Sequence, residues 1–197
     1  MGMNAQKIIS VAPIPGLTYI PEYIDQSREA DLIRTIDNRP WITELRRRVQ
    51  HYGYRYDYKG RNITRKSTLG PLPEWLFAHC DELCSHHIFP RLPEQVIINE
   101  YQAGQGIAAH IDCVPCFEET IASLSLGSSC IMEFTHSETL EKIPVLLKAR
   151  SLVVLAGDAR YHWKHSIPHR KTDHYCGLTF PRGRRLSLTF RNVILAK

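Results

Sequence analysis

Hydrophobic and polar positions change period along this chain, and the changes predict its elements. After Ser27, the residues Ala30, Leu32, Ile33 and Ile36 recur at helical spacing and predict one amphipathic helix. From Arg46 to Tyr58 the order alternates instead, with Tyr52, Tyr54, Tyr56 and Tyr58 on one parity beside His51, which suits a strand or hairpin arm. Pro71, Pro73 and Pro90 then bracket a second helical stretch from about Trp75 to Ile88.

From Val96 onward the pattern is a series of short strand-like runs punctuated by Gly, Ser, Pro and Asp: Val96–Tyr101, Thr120–Leu126, Ile131–Thr135, Val145–Lys148, Leu152–Leu155 and Leu186–Arg191. No long helix interrupts them. Two helices followed by many strands argue against a doubly wound parallel sheet and for an α+β protein, a sandwich or jelly roll with helices packed outside it. The 197 residues, 43% of them hydrophobic, suffice for one sizeable core. No apolar run approaches the roughly 18 residues of a membrane span, and the first residues lack the order of a secretory signal. A cytoplasmic protein is expected.

Six cysteines in such a chain read more simply as reduced thiols than as a disulfide framework. Cys113 and Cys116 are spaced as a zinc half-site, and Cys80, Cys84, His86 and His87 form a looser cluster, but no second Cys pair accompanies either. The net charge of +5 is unevenly placed: nine Lys or Arg stand against Glu44 and Asp57 between Arg39 and Lys66, a local excess of +7, leaving −2 for the rest. Such a stretch is either a solvated face or the footprint of a polyanion partner.

Candidate chemistry begins at His110 and Asp112, one residue apart, whose side chains leave the same face of an extended backbone. Iron(II) in an oxygenase takes two imidazoles and one carboxylate on one side of its octahedron, leaving positions for co-substrate and dioxygen. The second histidine must come from elsewhere, and His162, His165, His169 and His174 are all downstream. The final strand separates Arg185, Ser187, Thr189 and Arg191 from Leu186, Leu188 and Phe190. Unpaired arginines facing a barrel interior are expensive, and a small dicarboxylate would satisfy both of them bidentately. Asn99 and Tyr101 likewise share the face opposite Val96 and Ile98, and both can hydrogen-bond a carboxylate.

In combination and order, Asn99-Glu100-Tyr101, His110-Ile111-Asp112, Ser123-Leu124-Ser125-Leu126-Gly127, His165-Ser166-Ile167 and the Arg185/Arg191 pair resemble the AlkB-like 2-oxoglutarate and iron(II)-dependent dioxygenases. The resemblance implies a double-stranded β-helix core, with His110, Asp112 and His165 as iron ligands and catalytic centre. It implies that Asn99, Tyr101, Arg185, Arg191, Ser187 and Thr189 hold 2-oxoglutarate, with Arg191 toward the metal and Arg185 on the distal carboxylate. The cofactors are then Fe(II), 2-oxoglutarate and dioxygen. The implied reaction is oxidative dealkylation of a base in DNA or RNA, with the alkyl group leaving as an aldehyde.

The motifs are closest to the oxygenase domain of tRNA wobble-uridine-modifying relatives, whose RNA-binding and methyltransferase domains these 197 residues do not have room for. Val114 stands where the DNA-repair archetype has an acid that contacts the damaged base. Alternatives are therefore a modified-uridine hydroxylase or a hydroxylase of a protein or small molecule. One domain over 1–197 is expected, with an N-terminal lobe and nucleotide-recognition lid over 1–95 and a jelly-roll catalytic core over 96–197. A monomer acting on nucleic acid with a modified base is expected, with Arg46, Arg47 and Arg48 for phosphates and Tyr52 and Tyr54 for stacking.

Overall fold

The computed structural model describes residues 9–10, 14–44 and 46–195. Two antiparallel sheets face each other. The larger has seven strands in the order β1 (Ile9–Ser10), β2 (Leu17–Ile20), β9 (Leu152–Leu155), β6 (Phe117–Gly127), β13 (Arg185–Val193), β4 (Gln95–Tyr101), β3 (Val49–Tyr52). The smaller runs β5 (Ile107–His110), β10 (Trp163–Ile167), β7 (Cys130–His136), β8 (Lys142–Leu147), and a separate hairpin joins β11 (Thr172–Tyr175) to β12 (Leu178–Pro181).

The predicted runs all become strands, and β13 lies between β6 and β4 with every residue buried. Its parity divides the protein. Leu186, Leu188 and Phe190 join Val96, Ile98, Leu124 and Leu152 in a core roofed by α1 (Gln26–Asp37) and α2 (Glu74–Ser85) through Leu32, Ile36, Leu76 and Leu83. Burying each large apolar side chain contributes about 1.5–3 kcal/mol. The expected stretch after Ser27 is α1, and it begins one residue earlier because the Asp25 carboxylate accepts the Arg28 N–H at 2.8 Å and caps the helix. The opposite face of the large sheet meets the small one in a second core containing Tyr101, Val153, Met132, Phe134, Trp163 and Ile167.

Strands from the first 95 residues extend the core sheet, β2 pairing with β9 and β3 with β4. One expectation needs correction. The hairpin arm expected over Arg46–Tyr58 is a strand only through Tyr52, since Gly53 takes φ +75°. A Cβ there would stand 1.8 Å from the Glu94 carbonyl oxygen, so a side chain is excluded and the chain turns away from the sheet. Beyond it the strand-like pairing among the described residues is reduced to isolated bridges, Tyr54 to Thr68 and Asp57 to Asn62. A third, short helix, α3 (Gly157–Tyr161), precedes β10 and was not signalled by periodicity.

Candidate metal and co-substrate site

The segment around His165 is a strand, β10. His165 on β10 stands directly opposite His110 at the end of β5, so cross-strand pairing brings together two imidazoles 55 residues apart in sequence. Asp112 lies two residues beyond β5, and its Oδ1 is 3.4 Å from His110 Nε2 and 4.0 Å from His165 Nε2. One ligand atom from each of the three lies within 4.8 Å of the others. His162, by contrast, is exposed.

Protonation states suit a metal. The Nδ1–H of His110 donates to the Ala108 carbonyl at 2.8 Å, which leaves the Nε2 lone pair directed at the cluster. Burial, reinforced by the neighbouring His110, pushes His165 down to about 4, so its ring is neutral at ordinary pH. Burial alone would raise the Asp112 carboxyl, but the Arg191 guanidinium beside it outweighs burial and holds Asp112 well below the usual range. Two imidazoles and one carboxylate converging from one side are the donor set that iron(II) takes in oxygenases.

Beside the cluster, the polar face of β13 and its neighbours line a narrow cavity of about 60 Å³ with Asn99, Tyr101, Ser187, Thr189 and Arg191. Arg191 donates from Nε to Asp112 Oδ2 at 3.0 Å and from Nη1 to Gln95 Oε1 at 3.3 Å. Arg185, 2% exposed, donates from Nη2 to Ser125 Oγ at 2.7 Å, while its Nε and Nη1 are buried with no protein partner. Buried donors left open on a guanidinium are costly, and a carboxylate is the ligand that fits their fork.

Above the His110, Asp112 and His165 cluster opens a wider cavity of about 290 Å³, walled by Arg47, Tyr56, Tyr58, Arg61, Ile97 and Phe117. A larger groove of about 610 Å³ lies beyond Tyr56 and Tyr58, beside Arg55, Lys59 and Lys66, and reaches none of the three cluster residues. Of the residues expected to meet nucleic acid, Arg47 alone lines the metal-side cavity, where its Nε donates to Asn99 Oδ1 at 2.8 Å. Arg46 is exposed beside it. Arg48 is engaged elsewhere, paired with Glu100 at 2.8 Å from Nη2 and stacked 4.7 Å over Trp41. Tyr52 packs edge-on against Trp75 and donates to Gln50 Oε1 at 2.9 Å, and Tyr54 packs in a satellite core. The turn at Gly53 is why Tyr56 and Tyr58, and not the earlier pair, reach the cavity.

The thiols also differ from expectation: Cys113 and Cys116 are joined as a disulfide, because the turn after Asp112 brings their Cα atoms to 5.2 Å. Cys80, Cys84, Cys130 and Cys176 are free.

A model of the 2OG-Fe(II) oxygenase superfamily matches residues 16–191. The chain belongs to that superfamily, in its AlkB-like branch. It is 36% identical to the "Alkylated DNA repair protein ALKBH8 homolog" of Arabidopsis thaliana over 91% of this chain and 59% of that one. It is also 36% identical to the "tRNA (carboxymethyluridine(34)-5-O)-methyltransferase ALKBH8" of Macaca fascicularis, over 91% of this chain but 30% of the relative. The solved structure of OsALKBH1 superposes with a TM-score of 0.73 at 17% identity, covering 94% of this chain and 99% of that one, which establishes the double-stranded β-helix fold. This AlkB-like dioxygenase is thus an oxidoreductase that uses Fe(II), 2-oxoglutarate and dioxygen. It contains no described helix long and apolar enough to cross a membrane.

Proposed function

We propose that this protein oxidises a modified base of a nucleic acid, with His110, Asp112 and His165 holding iron and the β13 face holding 2-oxoglutarate. The observation that carries the reading is the 290 Å³ cavity over the metal ligands, walled by two tyrosines and two arginines outside the metal cluster. Tyrosine rings stack bases of any sequence, guanidiniums meet phosphates, and a base must leave its stack to enter such a cavity.

Bound iron with 2-oxoglutarate and dioxygen supplies the oxidation of a C–H bond, with succinate and carbon dioxide as co-products. The chain does the rest. Arg185, which lines a small pocket sharing Tyr101 and Ile167 with the cavity beside the cluster, takes the distal carboxylate on its two open donors, while Ser187 and Thr189 line that cavity. Arg191 holds Asp112 in its ionised form, and Asn99 and Tyr101 face the same co-substrate cavity. Oxidation of a carbon on a ring nitrogen would release an aldehyde, whereas a carbon-linked substituent would keep its new hydroxyl.

The cavity's charge favours the second outcome. Arg47, Arg61 and Arg191 line it, and Asp112, already paired with Arg191, is its one acid among the described residues. Val114, 47% exposed, supplies no carboxylate nearby. A cationic N-alkylated adenine or cytosine meets repulsion there; a neutral or anionic base, such as a substituted uridine, does not. The uridine named in the Macaca relative is of that class. Mass spectrometry of oligonucleotides carrying 1-methyladenine, 3-methylcytosine or C5-substituted uridine tests this, with succinate release measured alongside. Faster turnover of the cationic bases would reverse the charge argument. Succinate release with no oxidised oligonucleotide of any kind would move the substrate to a protein or small molecule.

A further inference from the structure

Of the three metal ligands, two sit on paired strands and one does not. His110 and His165 are fixed by the β5–β10 ladder, but Asp112 lies past the end of β5, in irregular chain leading to the turn at Val114–Cys116. Something else must place its backbone. Arg160, in α3, is 2% exposed and heads the largest fully buried side chains described. Its guanidinium meets no carboxylate within ion-pairing distance among the described residues.

It binds four main-chain carbonyls of one short stretch. Nη1 donates to Asp112 O at 2.9 Å, Nη2 to Phe117 O at 3.2 Å and Cys113 O at 3.4 Å, and Nε to Glu118 O at 3.3 Å. A buried cation held by neutral carbonyls and the Tyr161 ring, 5.0 Å away, with no paired carboxylate, is expensive compared with an apolar side chain of similar volume. The fork geometry explains what it achieves, since one planar group can bind several carbonyls at once, here spanning Asp112 to Glu118. Arg160 also stands five residues before His165, with α3 packed on both β10 and β6.

We propose that Arg160 is a positioning residue for the metal centre, tying the main chain of Asp112 to the element that carries His165. It touches no ligand atom. It sets the distance between the carboxylate ligand and the distal histidine by bracing the stretch from Asp112 to Glu118. Arg191 orients the same carboxylate from its Oδ2 side, so Asp112 is held at both backbone and side chain. The inference rests on the reading of His110, Asp112 and His165 as the metal site.

Anaerobic cobalt(II) titration of the full chain, followed by its ligand-field bands, tests both separately. The parent should bind one equivalent and Asp112→Ala should lose it; a parent that binds no cobalt sinks the metal reading and this proposal with it. Arg160→Gln should weaken cobalt affinity roughly 10–100-fold, the range for groups that orient ligands, and shift the bands. Arg160→Lys should recover part of the affinity, because one ammonium cannot reach all four carbonyls. Gln50→Leu removes a buried side chain that donates to the Ile36 and Arg39 carbonyls, and it controls for lost stability alone: its bands and affinity should stay parental. If Arg160→Gln binds cobalt as the parent does while melting earlier, Arg160 is only structural. Should Arg160→Gln not fold, Arg160→Lys decides, with parental affinity overturning the proposal and weakened affinity supporting it.

Discussion

The floor and the roof of the metal-side cavity are held by different means. The floor side chains of His110, His165 and Arg191 project from strands whose neighbours fix them by backbone pairing; His110 and Arg191 are hydrogen-bonded there, while His165 Nδ1 is buried without a partner. The roof, with Tyr56, Tyr58 and Arg61, hangs from a segment that has left the sheet at Gly53 and is tied by two isolated bridges. Edge-to-face contacts between Tyr56 and Tyr58, 5.1 Å apart, and between His51 and Tyr58, 5.7 Å apart, give the roof its own packing. A pre-organised floor suits chemistry that must be repeated without error. A roof with few ladder bonds can adjust to what it covers.

The largest effects should fall on the floor. Alanine at His110, Asp112 or His165 should take succinate release below detection while circular dichroism stays parental, whereas His162→Ala should keep activity. The reverse outcome for the two histidines would reassign the distal ligand. Next, Arg185→Ala should raise the 2-oxoglutarate requirement, because truncating one partner of a buried charged pair costs about 2–5 kcal/mol. Arg184→Ala should leave that requirement unchanged, since Arg184 points the other way and pairs with Glu100 and Asp37. Equal effects on co-substrate affinity would erase the distinction between the two faces.

Roof substitutions should be smaller and confined to the substrate. Tyr58→Ala or Tyr56→Ala should weaken oligonucleotide binding by about 1–3 kcal/mol of lost stacking, with uncoupled 2-oxoglutarate turnover preserved. Tyr52→Ala should lower thermal stability and leave binding alone. Arg47→Gln should reduce the salt dependence of binding by about one counterion, and Arg48→Gln should not. A matching loss of slope in both would mean the arginines act as a diffuse field.

The smallest effect concerns the joint between the two regions. Glu100 on β4 is held down to about 2, first by its hydrogen bond from Arg48 and then, against burial, by Arg184. A carboxylate depressed in the folded state contributes stability that is full above its ordinary value near 4.5 and is lost as pH falls toward 2. Glu100→Gln should therefore flatten the acid limb of a stability-against-pH curve in that window. An unchanged limb would place the acid sensitivity elsewhere.

How much of this was legible follows the same division. Alternation exposed the two faces of β13 and β4 because apolar and polar residues there take strictly opposite sides, so Arg185, Arg191, Asn99 and Tyr101 could be placed by parity. The strands β5 and β10 were not visible, because their inward positions carry His110 and His165 in place of the apolar residues that mark a strand. Over the roof, four tyrosines on one parity suggested a single face. One glycine at positive φ split them, and no period announces that. Arg160 left no signal at all, since a buried arginine held by carbonyls has no sequence partner to pair it with.

The central place of β13 bears on how this molecule is made. It is the last strand of the described residues, yet it lies between β6 and β4, and it carries Arg185, Ser187, Thr189 and Arg191 on one side and part of the main core on the other. A nascent chain that has emerged only as far as β12 leaves β6 and β4 with facing open edges and an apolar face without its middle. Such edges template association with other chains, and pairing of segments far apart in sequence, as Arg191 with Gln95, is slow to form. The proposed co-substrate face and the fold are then completed in one late insertion, so a ribosome stalled before Arg185 would release an aggregation-prone chain and not a weakened enzyme.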